Sequence, residues 1–375
     1  MKTKKHKLTK HRKRKHKLTK HRRRKHRNKK KILKQKGGRI DLNLMLLPLR
    51  EFADQELFLD ELELPIEEAN NRFREYYNKF SQLSERFRQQ VTDNSDYQSS
   101  FRMIAEIFAE GPNRGINLSL NLYNLNIINI TPLSYLTNLR QLNLEENNIH
   151  DISPLRNTPL LTLLNLGSNY IEDISILSEL VYLQQLNLEE NSIEDITSLR
   201  ELNSLILLKL NGNMISNITP LSQLVNIESL NLSQNSIQNI QPLAGLINLK
   251  VLMLNNNAHI NDLTPLQNMI FLKTLMIEYD HNDISVYNGI RDIAPLSGLT
   301  NLMFLNLRYN IINDITPLSQ LTNMKILILS ALSRELYSDT ENPPTPITDI
   351  TPLRNMTGLF ELYLNNNNNQ VSQWF

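Results

Sequence analysis

The chain has 375 residues, with 41 Lys or Arg, 38 Asp or Glu and no cysteine. The lack of cysteine excludes disulfides, thiolate metal sites and cysteine nucleophiles, and it favours a reducing compartment or indifference to redox conditions. No secretory signal is visible, nor an apolar run of the roughly 18 residues that a membrane span needs. We therefore expect no membrane span and an intracellular location, in the cytoplasm or nucleus, rather than secretion.

The segment 1–36 is a polybasic tail. It holds 21 Lys or Arg and no acid, so 41 − 21 = 20 basic and 38 acidic residues remain, and the rest of the chain carries a charge of −18. The tail repeats a ten-residue phrase, KHKLTKHRKR and then KHKLTKHRRR. Because like charges repel and few of its residues are apolar, we expect this tail to be disordered.

The density of basic residues makes the tail a candidate for binding nucleic acid or another polyanion without reading sequence. Stretches such as KHRKRKHK also look like nuclear-import signals. The alternatives are a solvated tail that aids solubility, or a tail that folds back on the acidic remainder. The residues expected to bind polyanions are Lys10, Arg12, Lys13, Arg14, Lys15, Arg22, Arg23, Arg24 and Lys25.

Histidines recur every five residues in the tail, from His6 to His26. On a helix this step would place successive imidazoles about 140° apart, and the flanking cations would repel a divalent ion. We therefore expect no metal site in the tail.

Residues 37–113 are predicted to be mainly helical. Phe73, Tyr76, Tyr77 and Phe80 recur at spacings that place them on one face of a helix over residues 67–92. Because the end coils of repeat proteins need a cap, we interpret 37–113 as a helical N-terminal cap. The alternative is a small separate module for another partner.

From residue 114 to 375 a phrase of about 22 residues repeats. Residues 136–155 read LTNLRQLNLEENNIHDISPL, and residues 180–199 read LVYLQQLNLEENSIEDITSL. A period of 20–29 residues with L-x-x-L-x-L-x-x-N predicts a leucine-rich-repeat solenoid, here of about 11 coils. The predicted fold class is an α/β solenoid, a horseshoe with a parallel concave sheet and 3₁₀ or short helical turns on its convex side.

Each residue type in the repeat has an expected role. Leu142 and Leu144 alternate with polar residues, which predicts a short strand with inward leucines. The asparagine after each strand is expected to be buried and to bond backbone groups that leave the sheet. The aspartate three residues before the usual proline, whose place is taken by Ile176 and Ser198 in two coils, is expected to cap a short helix rather than bind calcium, because a whole coil separates it from the next. The asparagines are Asn147, Asn169, Asn191, Asn213, Asn235, Asn257, Asn310 and Asn367, and the aspartates are Asp151, Asp173, Asp195, Asp262, Asp292, Asp314 and Asp349.

The phrase N-x-I-x-D-I-x-P-L after L-x-x-L-x-L resembles the internalin-type leucine-rich repeat. It is also similar to the repeat of the leucine-rich phosphatase-1 regulatory subunit. The resemblance spans about 260 residues and implies a shallow horseshoe with 3₁₀ turns on its convex side. It implies no particular partner, because these proteins bind through variable outward positions. Internalins are secreted and anchored, whereas this sequence shows no signal or wall-sorting tail, so we do not expect a role in adhesion or invasion.

The outward strand positions are polar or acidic in early coils and apolar in later ones. Exposed apolar clusters usually mark interaction sites, and methionine-rich surfaces adapt to a partner's shape. The alternative is that two insertions, 278–289 and 330–346, cover this stripe. The predicted partner-binding residues are Val251, Met253, Met276, Phe304, Ile326, Ile328 and Tyr363.

The sequence contains no glycine-rich phosphate loop, H-E-x-x-H or G-x-S-x-G motif, so we expect no enzyme, no cofactor and no metal. The expected function is a monomeric scaffold that binds an unidentified protein through its concave face, while its basic arm contacts nucleic acid or other polyanions. The alternative is a nucleic-acid-associated or nuclear-targeted protein whose main activity resides in the tail.

Overall fold

A computed structural model describes residues 118–257, 260–279, 289–330 and 347–364. They form one parallel sheet of eleven strands whose order in space follows their order in the chain. The tail, the predicted helical cap and most of both insertions lie outside the described residues, so these predictions stay predictions. The strands are β1 (Leu118–Asn121), β2 (Leu139–Asn143), β3 (Leu163–Asn165), β4 (Gln185–Asn187), β5 (Leu207–Lys209), β6 (Ser229–Asn231), β7 (Val251–Met253), β8 (Thr274–Met276), β9 (Phe304–Asn306), β10 (Ile326–Ile328) and β11 (Glu361–Tyr363).

The alternation of leucine and polar residues sets the register of the sheet. Leu142 pairs with Leu164, which pairs in turn with Leu186, and all three are fully buried. The residues on either side of each leucine point away from this core, as the twofold period of a strand requires. The predicted leucine-rich-repeat solenoid is therefore confirmed over the described residues.

The buried asparagines join successive coils. The Asn169 Oδ1 atom accepts a hydrogen bond from the N–H of Ile149, one coil earlier, at 3.0 Å. Its Nδ2 donates to the carbonyl of Leu144 at 2.9 Å and to that of Leu166 at 3.1 Å. The amide thus satisfies backbone groups of both coils where the chain leaves the sheet, as predicted. The same inter-coil bonds are made by Asn147, Asn191, Asn213, Asn235, Asn257 and Asn310, while Asn367 lies outside the described residues.

Short 3₁₀ turns run along the other side of the coils. The Asp151 carboxylate accepts a hydrogen bond from the N–H of Ser153, the first residue of one turn, at 2.8 Å. Each of the seven predicted aspartates makes this bond, which confirms their capping role. The aspartate lies one position before the N-cap residue, which is Ile152 in this turn. The turns are Thr131–Tyr135, Ser153–Asn157, Ser175–Glu179, Thr197–Leu199, Thr219–Gln223, Gln241–Leu243, Thr264–Leu266, Ala294–Leu296, Thr316–Gln320 and Thr351–Asn355.

A second set of asparagines links the coils where the chain enters the strands. Asn248 Nδ2 donates to the carbonyl of Val225, and Asn226 Nδ2 donates to that of Asn203, both at 2.9 Å. Asn301 and Asn323 make the equivalent bonds later in the sheet. These amides are exposed, so each contributes less to stability than a buried amide, whose loss would leave buried backbone groups without a hydrogen-bond partner.

Just before each of the seven described asparagines that join successive coils, the chain turns through a left-handed residue. Gly212 adopts φ +72°, and the equivalent Glu146, Ser168, Glu190 and Gln234 have φ between +51° and +58°. A side chain in this region costs about 1–2 kcal/mol relative to glycine, so the asparagine bonds hold these coils in a strained turn.

Candidate protein-binding face

Three columns of side chains cross β7–β11 on or beside the outward face of the sheet. Backbone hydrogen bonds and strand pairing place their members on neighbouring coils. The entry column precedes each strand, and the first and third columns are the outward strand positions. The entry column is Lys250, Lys273, Met303, Lys325 and Phe360; the first column is Val251, Thr274, Phe304, Ile326 and Glu361; the third column is Met253, Met276, Asn306, Ile328 and Tyr363.

The structure brings the predicted residues onto one face. Met253 pairs with Met276, Phe304 with Ile326, and Ile328 with Tyr363 across adjacent strands. Val251 is only 8% exposed, so it offers little surface to a partner. Met253, Met276, Phe304, Ile326 and Ile328 are half-buried, and Tyr363 is 44% exposed.

One large exposed side chain of this face was missed by the sequence prediction. Phe360 is 68% exposed and lies beside β11 in the entry column. The sequence could have indicated this position, because Phe360 directly precedes Glu361, as Met303 and Lys325 directly precede their strands in earlier coils. We name as the apolar patch the set Met253, Met276, Phe304, Ile326, Ile328, Phe360 and Tyr363.

Two polar residues interrupt the patch. Thr274 stands between Val251 and Phe304, and Asn306 stands between Met276 and Ile328. The Asn306 amide is buried, donating to Glu278 Oε2 at 3.0 Å and accepting from the N–H of Arg308 at 3.0 Å. Because the polar atoms of Asn306 are already hydrogen-bonded within the chain, a protein that covers the patch need not supply a polar group opposite this residue.

The early coils present amides and carboxylates, as the sequence indicated. Asn143, Asn165 and Asn187 accept the N–H two residues further on at 2.9–3.1 Å. Leu163 and Leu207, at the first outward position of β3 and β5, are only 6% and 7% exposed and do not create an apolar surface. The contrast between polar early coils and apolar late coils is therefore real in three dimensions.

At the edge where the chain leaves the strands, charges are paired. Arg308 Nη1 lies 3.8 Å from Glu278 Oε1, and the Arg308 guanidinium lies 4.4 Å from the centre of the Tyr309 ring. Next to it, the Tyr279 hydroxyl donates to the Ile260 carbonyl at 2.6 Å, and burial raises the pKa of Tyr279 well above its ordinary range. This hydrogen bond joins Tyr279, at the start of the first insertion, to the preceding coil. Whether either insertion covers the patch falls outside the described residues.

Two further features concern the described residues, namely groups of metal ligands and membrane spans. Within the described ranges no three His, Asp or Glu side chains converge as metal ligands. The polyanion-binding residues of the tail all lie outside those ranges. Over the same part of the chain, no helix is both long and apolar enough to cross a bilayer.

Comparison with known proteins identifies the family. A model described as leucine-rich repeats (2 copies) matches residues 225–268. An internalin (InlF) from Listeria monocytogenes is 31% identical over 67% of this chain and 74% of its own, with a TM-score of 0.55. The chain is a leucine-rich-repeat protein of the internalin type. A Leptospira interrogans leucine-rich-repeat protein has a similar fold, at 20% identity over 70% of this chain and 75% of its own, with a TM-score of 0.50. Among curated proteins, none has a matching sequence.

Proposed function

We propose that this internalin-type protein is a scaffold that binds another protein through the apolar patch. The observation that carries the proposal is the change in the outward columns, from bonded amides on β2–β4 to the apolar side chains of Phe304, Ile326 and Ile328 on β9 and β10. Solenoids of this kind commonly present such a face to another macromolecule. Phe360 and Tyr363 supply aromatic anchors of the type that dominates binding energy at interfaces.

The test is affinity purification with the full chain and two matched variants. Phe304→Glu places a charge in the patch, whereas Phe271→Glu makes the same change at a residue 50% exposed outside the three columns. We expect Phe304→Glu to lose a partner that Phe271→Glu retains, with circular dichroism unchanged in both. If the two variants retain the same proteins, the patch is not the binding surface.

A second activity is proposed for the tail, supported by 21 basic residues and no acid within 1–36. Binding of nucleic acid would release counterions, so the logarithm of affinity should fall with the logarithm of salt by about 0.9 per phosphate contacted. Deletion of 1–36 should abolish that dependence. An affinity that is independent of salt, or unaffected by the deletion, would contradict it.

The intracellular location and the monomeric state stay predictions. Fractionation of cells that produce the full chain, and light scattering on the purified protein, measure them directly.

A further inference from the structure

The hydrophobic core is partly open at the coil of β11. Within the described residues β11 is the end strand of the sheet and pairs only with β10. Four inward side chains there pack against the core but are only partly buried, whereas the equivalent side chains around β9 are at most 1% exposed. The equivalent side chains around β9 are Leu302, Leu305, Leu307 and Ile315. We call the four partly buried residues the open end: Ile350, Leu359, Leu362 and Leu364.

The hydrogen bonds between coils indicate where the chain goes after Leu364. In seven coils the N–H of an inward isoleucine donates to the buried asparagine twenty residues later. Ile347 takes the same place in the coil of β10 and is 1% exposed, and Asn367 lies twenty residues after it. Because a buried N–H needs an acceptor, this step predicts that the chain follows the coil as far as Asn367.

Two apolar residues beyond Asn367 recur at the spacing of the inward isoleucines. Val371 and Trp374 are three residues apart, as are Ile347 and Ile350 in the preceding coil. The two residues between them are Ser and Gln, and the corresponding residues between Ile347 and Ile350 are exposed. The pattern of apolar and polar residues in 371–374 is therefore that of a coil turning inward twice.

The segment is also long enough to follow this path. From the last inward leucine of β9 to the second inward isoleucine of its coil, 307–315, the chain advances eight residues, and over 364–374 it advances ten. Extra residues occur at this point in other coils. The first inward isoleucine follows the buried asparagine by two residues in 147–149 and by three in 257–260, and both isoleucines are fully buried.

We propose that residues 365–375 complete the coil of β11, with Val371 and Trp374 packed inward over the open end. In this register Trp374 stands beside Ile350, as Ile350 stands beside Ile315 of the coil before it. An aromatic side chain buries about 150–250 Å², so one indole ring covers leucines of the open end as well as Ile350. The segment is attached at Leu364, which gives it an effective concentration at the open end that a separate molecule lacks.

Closure of the coil does not depend on the function proposed above. Phe360 and Tyr363 are exposed on the outward side of the same coil, so a closed end leaves the apolar patch accessible to a partner.

The experiment uses tryptophan fluorescence of the full chain. Trp374 is the only tryptophan in the sequence, so the emission wavelength and the rate of acrylamide quenching report on this residue alone. Both are measured in native buffer and in urea. The test variant Val371→Asp places a charge at the inward position. The control Gln373→Asp adds the same charge at the place equivalent to Asp349, which is exposed.

We expect Trp374 in the native chain to emit at shorter wavelength, and to be quenched several times more slowly, than in the urea-unfolded chain. Val371→Asp should remove most of both differences, because burying a carboxylate without a partner is unfavourable, and Gln373→Asp should keep them. Circular dichroism of the native state should be the same in both variants, since neither changes a residue of the described coils.

Four results would overturn the inference. The first is equal emission and quenching of Trp374 in the native and unfolded chains. The second is a protected Trp374 that neither variant exposes, which would place the ring on another surface, and the third is equal exposure in both variants, which would contradict the register. The fourth is loss of the short-wavelength emission on dilution together with dissociation of a dimer, which would identify a second copy over the open end. None of these results alters the loss of partner expected for Phe304→Glu, which tests the apolar patch separately.

Discussion

Replacing Asn191 by leucine should separate hydrogen bonding from packing in the asparagine ladder, the set of buried asparagines that join successive coils. Asn191 Oδ1 accepts from the N–H of Ile171 at 3.0 Å, and its Nδ2 donates to the carbonyls of Leu166 and Leu188 at 2.9 and 3.1 Å. Each carbonyl also accepts from another asparagine of the ladder, so it keeps a donor in the variant. The Ile171 N–H loses its acceptor and stays buried.

The expected loss follows from these contacts. A buried N–H without a partner costs about 1–3 kcal/mol. The lost donations of the Asn191 amide, which also reaches the Glu189 carbonyl at 3.1 Å, together add about 1 kcal/mol. We therefore expect Asn191→Leu to lower the free energy of unfolding by about 3 kcal/mol, although leucine keeps the branched shape and the number of side-chain heavy atoms.

Urea denaturation followed by circular dichroism measures this change, with coincident probes to check that the solenoid unfolds cooperatively. The control is Asn261→Leu at an exposed position, where the change should stay within about 0.5 kcal/mol. A loss of less than about 0.5 kcal/mol in both variants would show that the buried amides do not hold the coils together.

Two further predictions concern the turns. Gly212→Ala should lower the free energy of unfolding by about 1 kcal/mol, measured by thermal unfolding, because Gly212 has φ +72° and the new Cβ would lie 3.3 Å from the Glu190 nitrogen. The control Gly298→Ala should be nearly neutral, because no atom lies within 4 Å of the added Cβ. Equal losses in the two variants would show that the turn at Gly212 is not strained by a side chain. Hydrogen bonds from the Thr197 side chain and backbone lower the pKa of Asp195, so its stabilisation is present above about pH 4 and is lost as pH falls through the folded-state pKa. Asp195→Asn keeps the acceptor and should weaken the acid-induced loss of stability; an unchanged acid titration would show that this cap does not contribute.

The sequence predicted the repeat architecture because its physical requirements recur in every coil. Inward leucines, buried asparagines and capping aspartates must each satisfy the same backbone geometry, so a period of about 22 residues was sufficient to place them. Ile176 and Ser198 replace the usual proline, yet both coils still form the 3₁₀ turn, because the aspartate cap and buried Leu177 and Leu199 are retained.

The details of the binding face were less predictable. Val251 is at an outward strand position, but its neighbours leave it 8% exposed, whereas Phe360 precedes its strand and is 68% exposed. Exposure at these positions depends on the side chains of adjacent coils, which a repeat pattern does not specify. The second set of asparagines, such as Asn248, was also missed, because an exposed L-x-N-L phrase reads as an ordinary surface turn.

Site-specific photocrosslinking of the full chain to its partner tests directly whether the apolar patch is the binding surface. A photoreactive residue is placed in turn at Phe304, Ile328, Phe271 and Tyr182; the last two are exposed outside the three columns. We expect crosslinks to one protein from Phe304 and Ile328 and none from Phe271 or Tyr182. Crosslinks from Phe271 or Tyr182, with none from the apolar patch, would contradict this expectation.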